Sequence, residues 1–148
     1  MLANLMALEP ELMERLRTEL AGQTPKVYLL SADDLAGVKE EQQLVPAVHL
    51  VYQGYRVQEG GRSDGKAARI VQTWLAVVVT RNVVNLKSAD AARKQAGTLA
   101  SLVTGALMGF KPASASGPLK LTNAPGAGFS NGFGYLPLAF EVELALVP

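Results

Sequence analysis

A chain of 148 residues with 49% hydrophobic and 18% charged side chains is the size of one domain and too apolar to remain disordered. Fourteen Lys and Arg against thirteen Asp and Glu leave a net charge of +1, which provides no electrostatic footprint for nucleic acid or an anionic membrane. The absence of cysteine excludes disulfides, thiolate zinc sites and a cysteine nucleophile.

The opening MLANLMALEPEL has no basic segment and soon meets Glu9 and Pro10, so it does not read as a signal peptide. Pro10 at a first helical position, acidic Glu11 and Glu14 beside it, and Leu12, Leu16 and Leu20 at i, i+4 spacing predict an amphipathic helix over 10–21, stopped by Gly22. A short strand is expected at 26–30, then a polar loop over 31–43. From Ala47 to Val57 the residues alternate, with Val48, Leu50 and Tyr52 assigned to one face and His49, Val51 and Tyr55 to the other. Ile70 to Thr80 is a run rich in β-branched residues and reads as a strand with both faces largely covered.

A long helix is expected over 89–110, capped at 85–88, with Ala92, Ala96, Leu99, Val103, Leu107 and Phe110 as its apolar stripe. Gly97, Ser101, Thr104, Gly105 and Met108 make the rest of that helix small enough for another element to approach closely. The uncharged run 95–110 contains glycine, serine and threonine and falls short of the ~18 apolar residues of a membrane span, so a soluble protein is expected. A segment rich in Pro, Gly and Ser follows from Lys111 to Gly132, with a short strand at Leu119–Thr122. The last strand sets Leu138, Phe140, Val142, Leu144 and Leu146 on one face against Ala139, Glu141, Glu143 and Ala145 on the other, with Pro137 at its start or on an edge. The order predicts one α+β domain over 1–148, an antiparallel-rich mixed sheet with two helices packed on it.

The stretch EGGRSDGKAA, residues 59–68, matches all but the last position of the phosphate-cradling pattern G-x-x-x-x-G-K-[ST]. That chemistry needs a helix directly after the loop and a hydroxyl for magnesium; Ala67 stands in the hydroxyl's place and a β-branched run follows. Asp64-Gly65 is a turn dipeptide, and the stretch reads as a hairpin tip. His49 is the single histidine and lies mid-strand with no carboxylate in local register, which favours a packed strand residue over a ligand or general base. Asp33-Asp34 and Glu40-Glu41 match no calcium loop, and Glu141 with Glu143 occupies alternate positions of one strand face. No catalytic, cofactor or metal constellation emerges, and an enzyme is not expected. A small-ligand-binding domain using residues 33–41 and His49 is the weaker alternative.

The layout and wording resemble the tail-terminator, or tail-completion, proteins of long-tailed bacteriophages, the family around the lambda U protein and its relatives in Mu-like phages. The resemblance runs through PAVHLVYQGYRV, the polar hairpin, TWLAVVVTRN, the alanine-rich helix and the closing FGYLPLAFEVELAL. It implies a small α+β virion protein that assembles as a ring, typically of six, ends polymerisation of the tail tube and offers a surface to the head connector. Its implied partners are therefore other copies of itself, the major tail tube protein and a head–tail connector protein, with no specific nucleic acid and no membrane. Its place is the head-proximal end of the tail in the virion, after assembly in the host cytoplasm. The implied contact residues are Arg62, Asp64 and Lys66 in the hairpin tip and Phe129, Asn131 and Phe133 in the late loop. Another virion ring, such as a connector or head-completion protein, has the same composition and is the nearer alternative.

Overall fold

The computed structural model describes residues 4–58, 61–81 and 86–147, with backbone alone for 86–89. Helix α1 (Leu8–Glu19), strand β1 (Tyr28–Leu30), the short helix α2 (Ala32–Leu35) and a 3-10 turn (Glu40–Gln42) lead into β2 (Ala47–Val57) and β3 (Ala68–Arg81). Helix α3 (Leu86–Leu107) follows, then β4 (Lys120–Thr122), β5 (Gly128–Ser130) and β6 (Phe133–Leu146). The sheet runs β1-β2-β3-β6-β4, with β5 also on β6; β1 pairs β2 in parallel and the other pairings are antiparallel. This is the expected α+β architecture.

The alternation of β-branched and aromatic residues decides which face is buried. Val48, Leu50, Ile70, Trp74, Ala76, Val78, Phe140, Val142 and Leu144 share one core with Leu8, Leu12 and Leu16 of α1 and Leu99, Val103 and Leu107 of α3. The stripes read at i, i+4 spacing are thus the faces that meet the sheet. Arg15 fixes α1 against α3 by donating from Nε to the Ala106 carbonyl at 2.9 Å while its guanidinium lies 4.9 Å from the Phe110 ring. Trp74 needs a partner for its indole N–H in so dry a place, and Gln72 supplies it. Gln72 Oε1 accepts the indole N–H at 3.1 Å, and its own amide nitrogen donates to the Leu5 carbonyl at 2.7 Å.

Several expectations are corrected. The last strand begins at Phe133, and Pro137 lies inside it, opposite Val77. On the flank away from β3, β5 reaches only to Tyr135 and β4 only from Ala139, so the proline falls where β6 has one neighbour and a missing donor costs least. Tyr55 changes face. The β2–β3 register slips between Tyr52 and Gly54, Gly54 adopts φ 121°, and the added residue brings Tyr55 opposite Gln72, onto the same side as Tyr52 and Trp74. Strict alternation cannot foresee a bulge. Helix α1 starts two residues early at Leu8, and α3 stops at Leu107 because Gly109 takes φ 82° and its N–H turns to the Leu119 carbonyl at 2.8 Å. The caps expected at 85–88 lie outside the described side chains. The polar loop after β1 contains α2, closed by a reciprocal capping pair between Ser31 and Asp34, which the local S-x-x-D spacing could have announced.

Candidate functional site

The residues with the most chemistry do not converge. His49 is 7% exposed, lies between Leu30 and Val77 in the sheet register, and has a buried Nε2 with no hydrogen-bond partner. Burial pushes its pKa below the ordinary imidazole value. It is a packed strand residue, as expected. The consequence is a pH effect on stability rather than catalysis. The folded pKa lies below the unfolded value of about 6.5, so the unfolded chain takes up a proton first as pH falls. The contribution of His49 is complete above about pH 6.5 and is lost below it. Melting temperature should fall between about pH 7 and about pH 5.5 in the wild type and fall less in His49→Phe. Equal pH slopes in the two proteins would contradict this reading.

Of the loop carboxylates, Glu40 has a buried Oε1 with no hydrogen-bond partner among the described residues. Asp34 caps α2, while Glu141 meets Arg56 on β2 at 3.4 Å and Glu143 meets Arg69 on β3 at 3.5 Å. Among the described residues no three His, Cys, Asp or Glu side chains group as metal ligands.

Residues 61–67 form the tip of the β2–β3 hairpin, Glu59 and Gly60 lying outside the described residues. Strand β3 follows directly where a phosphate loop needs a helix N-terminus. Arg62 N–H donates to the Ala67 carbonyl at 3.2 Å, Gly65 N–H to the Arg62 carbonyl at 3.1 Å, and Lys66 N–H to Asp64 Oδ1 at 3.0 Å. Gly65 has φ 73°, the left-handed conformation this tight turn requires. Arg62 and Asp64 form an ion pair on the exposed tip. The tip is therefore a small, internally bonded, charged knob that contacts solvent.

The late loop is more ordered in its pairing than its composition suggests. Asn131 (φ 49°) and Gly132 (φ 84°) both take positive φ and join Ser130 to Phe133, the two-residue turn of a β5–β6 hairpin. The Asn-Gly dipeptide was the signal for β5 that hydrophobic patterning missed. Phe129 is 67% exposed and lays its ring on Gly134, its register partner, filling the space a side chain would take. Asn131 is exposed at the turn. Phe133 corrects the expectation of an apolar tip: it is 1% exposed, in a second cluster with Ala47 and Val79, and the Arg81 guanidinium lies 5.1 Å from its ring. Its place in the first residue of a long central strand removes it as a contact. The structure thus leaves two separate exposed features, the charged tip of Arg62, Asp64 and Lys66 at one end of the sheet strands and the Phe129–Asn131 turn at the other.

This fold and these surfaces can be set beside known proteins. The family model described as phage tail terminator protein matches residues 1–147. Among solved structures, a chain of the "Virion of native gene transfer agent (GTA) particle" superposes with a TM-score of 0.50 at 16% identity, over 88% of this chain and 91% of that chain. At that identity the likeness is one of fold. Among curated proteins, none matches the sequence. The chain belongs to the phage tail terminator family, a family of structural virion proteins rather than enzymes.

Proposed function

We propose that this protein caps the tail tube as a closed ring, ending tube polymerisation and presenting a surface to the head connector. The observation that carries the reading is the match of the tail terminator family over residues 1–147. The solved neighbour is itself from a gene transfer agent virion, which agrees with a place in a phage-like particle. The shape of the chain supports a ring. The two ends of its sheet are unlike each other, β1 at one and β4 with β5 at the other, each strand only three residues long. Unlike surfaces favour a heterologous, head-to-tail contact, which closes into a ring when the rotation allows. Short edges also deter the open-ended strand pairing that would produce fibres.

In this reading the head-proximal end of the tail is the protein's place, and the tube subunit and the connector are its neighbours. The tip at Arg62, Asp64 and Lys66 and the turn at Phe129 and Asn131 lie at opposite ends of the long strands, so one can face each neighbour without competing for space. Light scattering and electron microscopy test the assembly. A six-membered ring is expected at high protein concentration or on tube ends. A strict monomer under both conditions would overturn it.

A further inference from the structure

Gly97 lies inside α3, and among the described residues a side chain added at this position would meet no atom within 4 Å. Glycine inside a helix destabilises it relative to alanine, so the vacancy is kept against the interest of the isolated subunit. Gly97 lines a groove of about 280 Å³ between α3 and the β5–β6 hairpin, with Ala92, Ala96, Phe129 and Leu136. Among the described residues Arg93 is the one charged side chain on its wall; it is largely exposed and pairs with an exposed helix neighbour, Asp90, at 3.4 Å. The groove is thus an apolar socket with a cation on its rim.

Its counterpart lies on the opposite face of the sheet, in the loop whose Gln43 donates from Nε2 to the Tyr135 hydroxyl at 2.8 Å. Residues 31–46 join β1 to β2 and are acidic, with Asp33, Asp34, Glu40 and Glu41 against the single Lys39. Val38 and Leu44 stand out from this loop, 47% and 53% exposed, on either side of the acidic pair. Exposed aliphatic side chains beside carboxylates complement an apolar socket beside an arginine. Socket and knob occupy different surfaces of one chain, as a head-to-tail contact demands.

We propose that the Val38–Leu44 loop of one copy seats in the Gly97 groove of the next, with Glu41 facing Arg93. This rests on the ring reading and supplies its subunit contact. The small residue at Gly97 then has a reason, since it is the floor on which the neighbour's Leu44 lies.

The chain has no cysteine, which allows a direct test. In the full chain carrying Leu44→Cys and Gly97→Cys, oxidation under conditions where the wild type assembles should produce a ladder of covalent multimers ending at the ring. Either single variant should yield no species beyond a dimer. Gly97→Leu fills the socket; its subunit should melt no lower than the wild type, because the space is empty and a helix glycine is removed, while assembly falls at least tenfold in affinity. If the wild type assembles but the double variant forms no ladder and Gly97→Leu assembles normally, this contact is wrong and the ring stands. If the wild type never assembles, the ring reading fails, and this contact with it.

Discussion

Phe140→Asp leaves no folded domain, whereas Glu141→Lys, one residue away, folds and melts close to the wild type. Phe140 is 1% exposed, opposite Trp74 on β3 and Leu121 on β4, at the centre of the sheet face that both helices cover. Removing the ring costs about 3–5 kcal/mol in a site that cannot collapse. A carboxylate left there without a partner adds several kcal/mol or must take up a proton. Against a total stability of about 5–15 kcal/mol the two terms together are decisive. Glu141 points to the opposite face, where it meets Arg56 and Thr122, each at 3.4 Å. Reversing its charge sets a lysine near Arg56 and Lys120, which costs about 1 kcal/mol or less on a half-exposed face. Circular dichroism and thermal melting of the two variants decide it. Equal loss at both positions would show that the two faces of β6 are equally buried.

Trp74→Ala has the second-largest expected effect, about 3–5 kcal/mol from the cavity alone. Trp74 is 1% exposed, and its ring packs on Tyr52 with centroids 5.0 Å apart. Its loss also strips Gln72 Oε1 of its donor, and Gln72 is 0% exposed, so the orphaned acceptor adds about 1–3 kcal/mol. Trp74→Phe fills part of the cavity but leaves the same acceptor bare. Gln72→Leu makes the reverse cut, orphaning the indole N–H and the Leu5 carbonyl that holds the segment before α1. Chemical denaturation of the three variants should rank Trp74→Ala as the most damaging. A loss of less than 1 kcal/mol in Trp74→Ala would mean that the core relaxes into the space.

How far the sequence foretold this molecule depends on whether a feature is local. The Leu12-Leu16-Leu20 stripe and the Phe140-Val142-Leu144 face are set by periodicity, and they form the core as read. The hairpin tip followed from Asp64-Gly65 and from the strand composition after Ala67. What periodicity could not show are events that break it. Gly54 inserts a residue into β2 and turns Tyr55 to the other face; Gly109 ends α3 before Phe110; Pro137 is tolerated in a central strand because β4 and β5 leave a gap beside it. Each depends on a neighbour distant in sequence. Phe133 was misplaced for the same reason: beside Asn131-Gly132 it resembles part of a loop tip, and only pairing with Arg81 on β3 reveals it as buried.

The exposed features were legible in part. The tip residues Arg62, Asp64 and Lys66 are exposed as a turn between polar strand ends must be, and Phe129 is exposed because its ring lies on Gly134 instead of entering the core. The groove at Gly97 was visible only as a run of small residues on a helix. It took the fold to show that Gly97 of this run is exposed and, with Ala92 and Ala96, borders the β5–β6 hairpin.

Tube length tests the central claim most directly. Tail tube protein polymerising alone, and polymerising with this protein added, is imaged by electron microscopy and the tube lengths are measured. The account predicts tubes that stop growing and carry a ring at one end, at one ring per tube. Tubes that reach the same lengths with and without the protein, with bare ends in both, would contradict it.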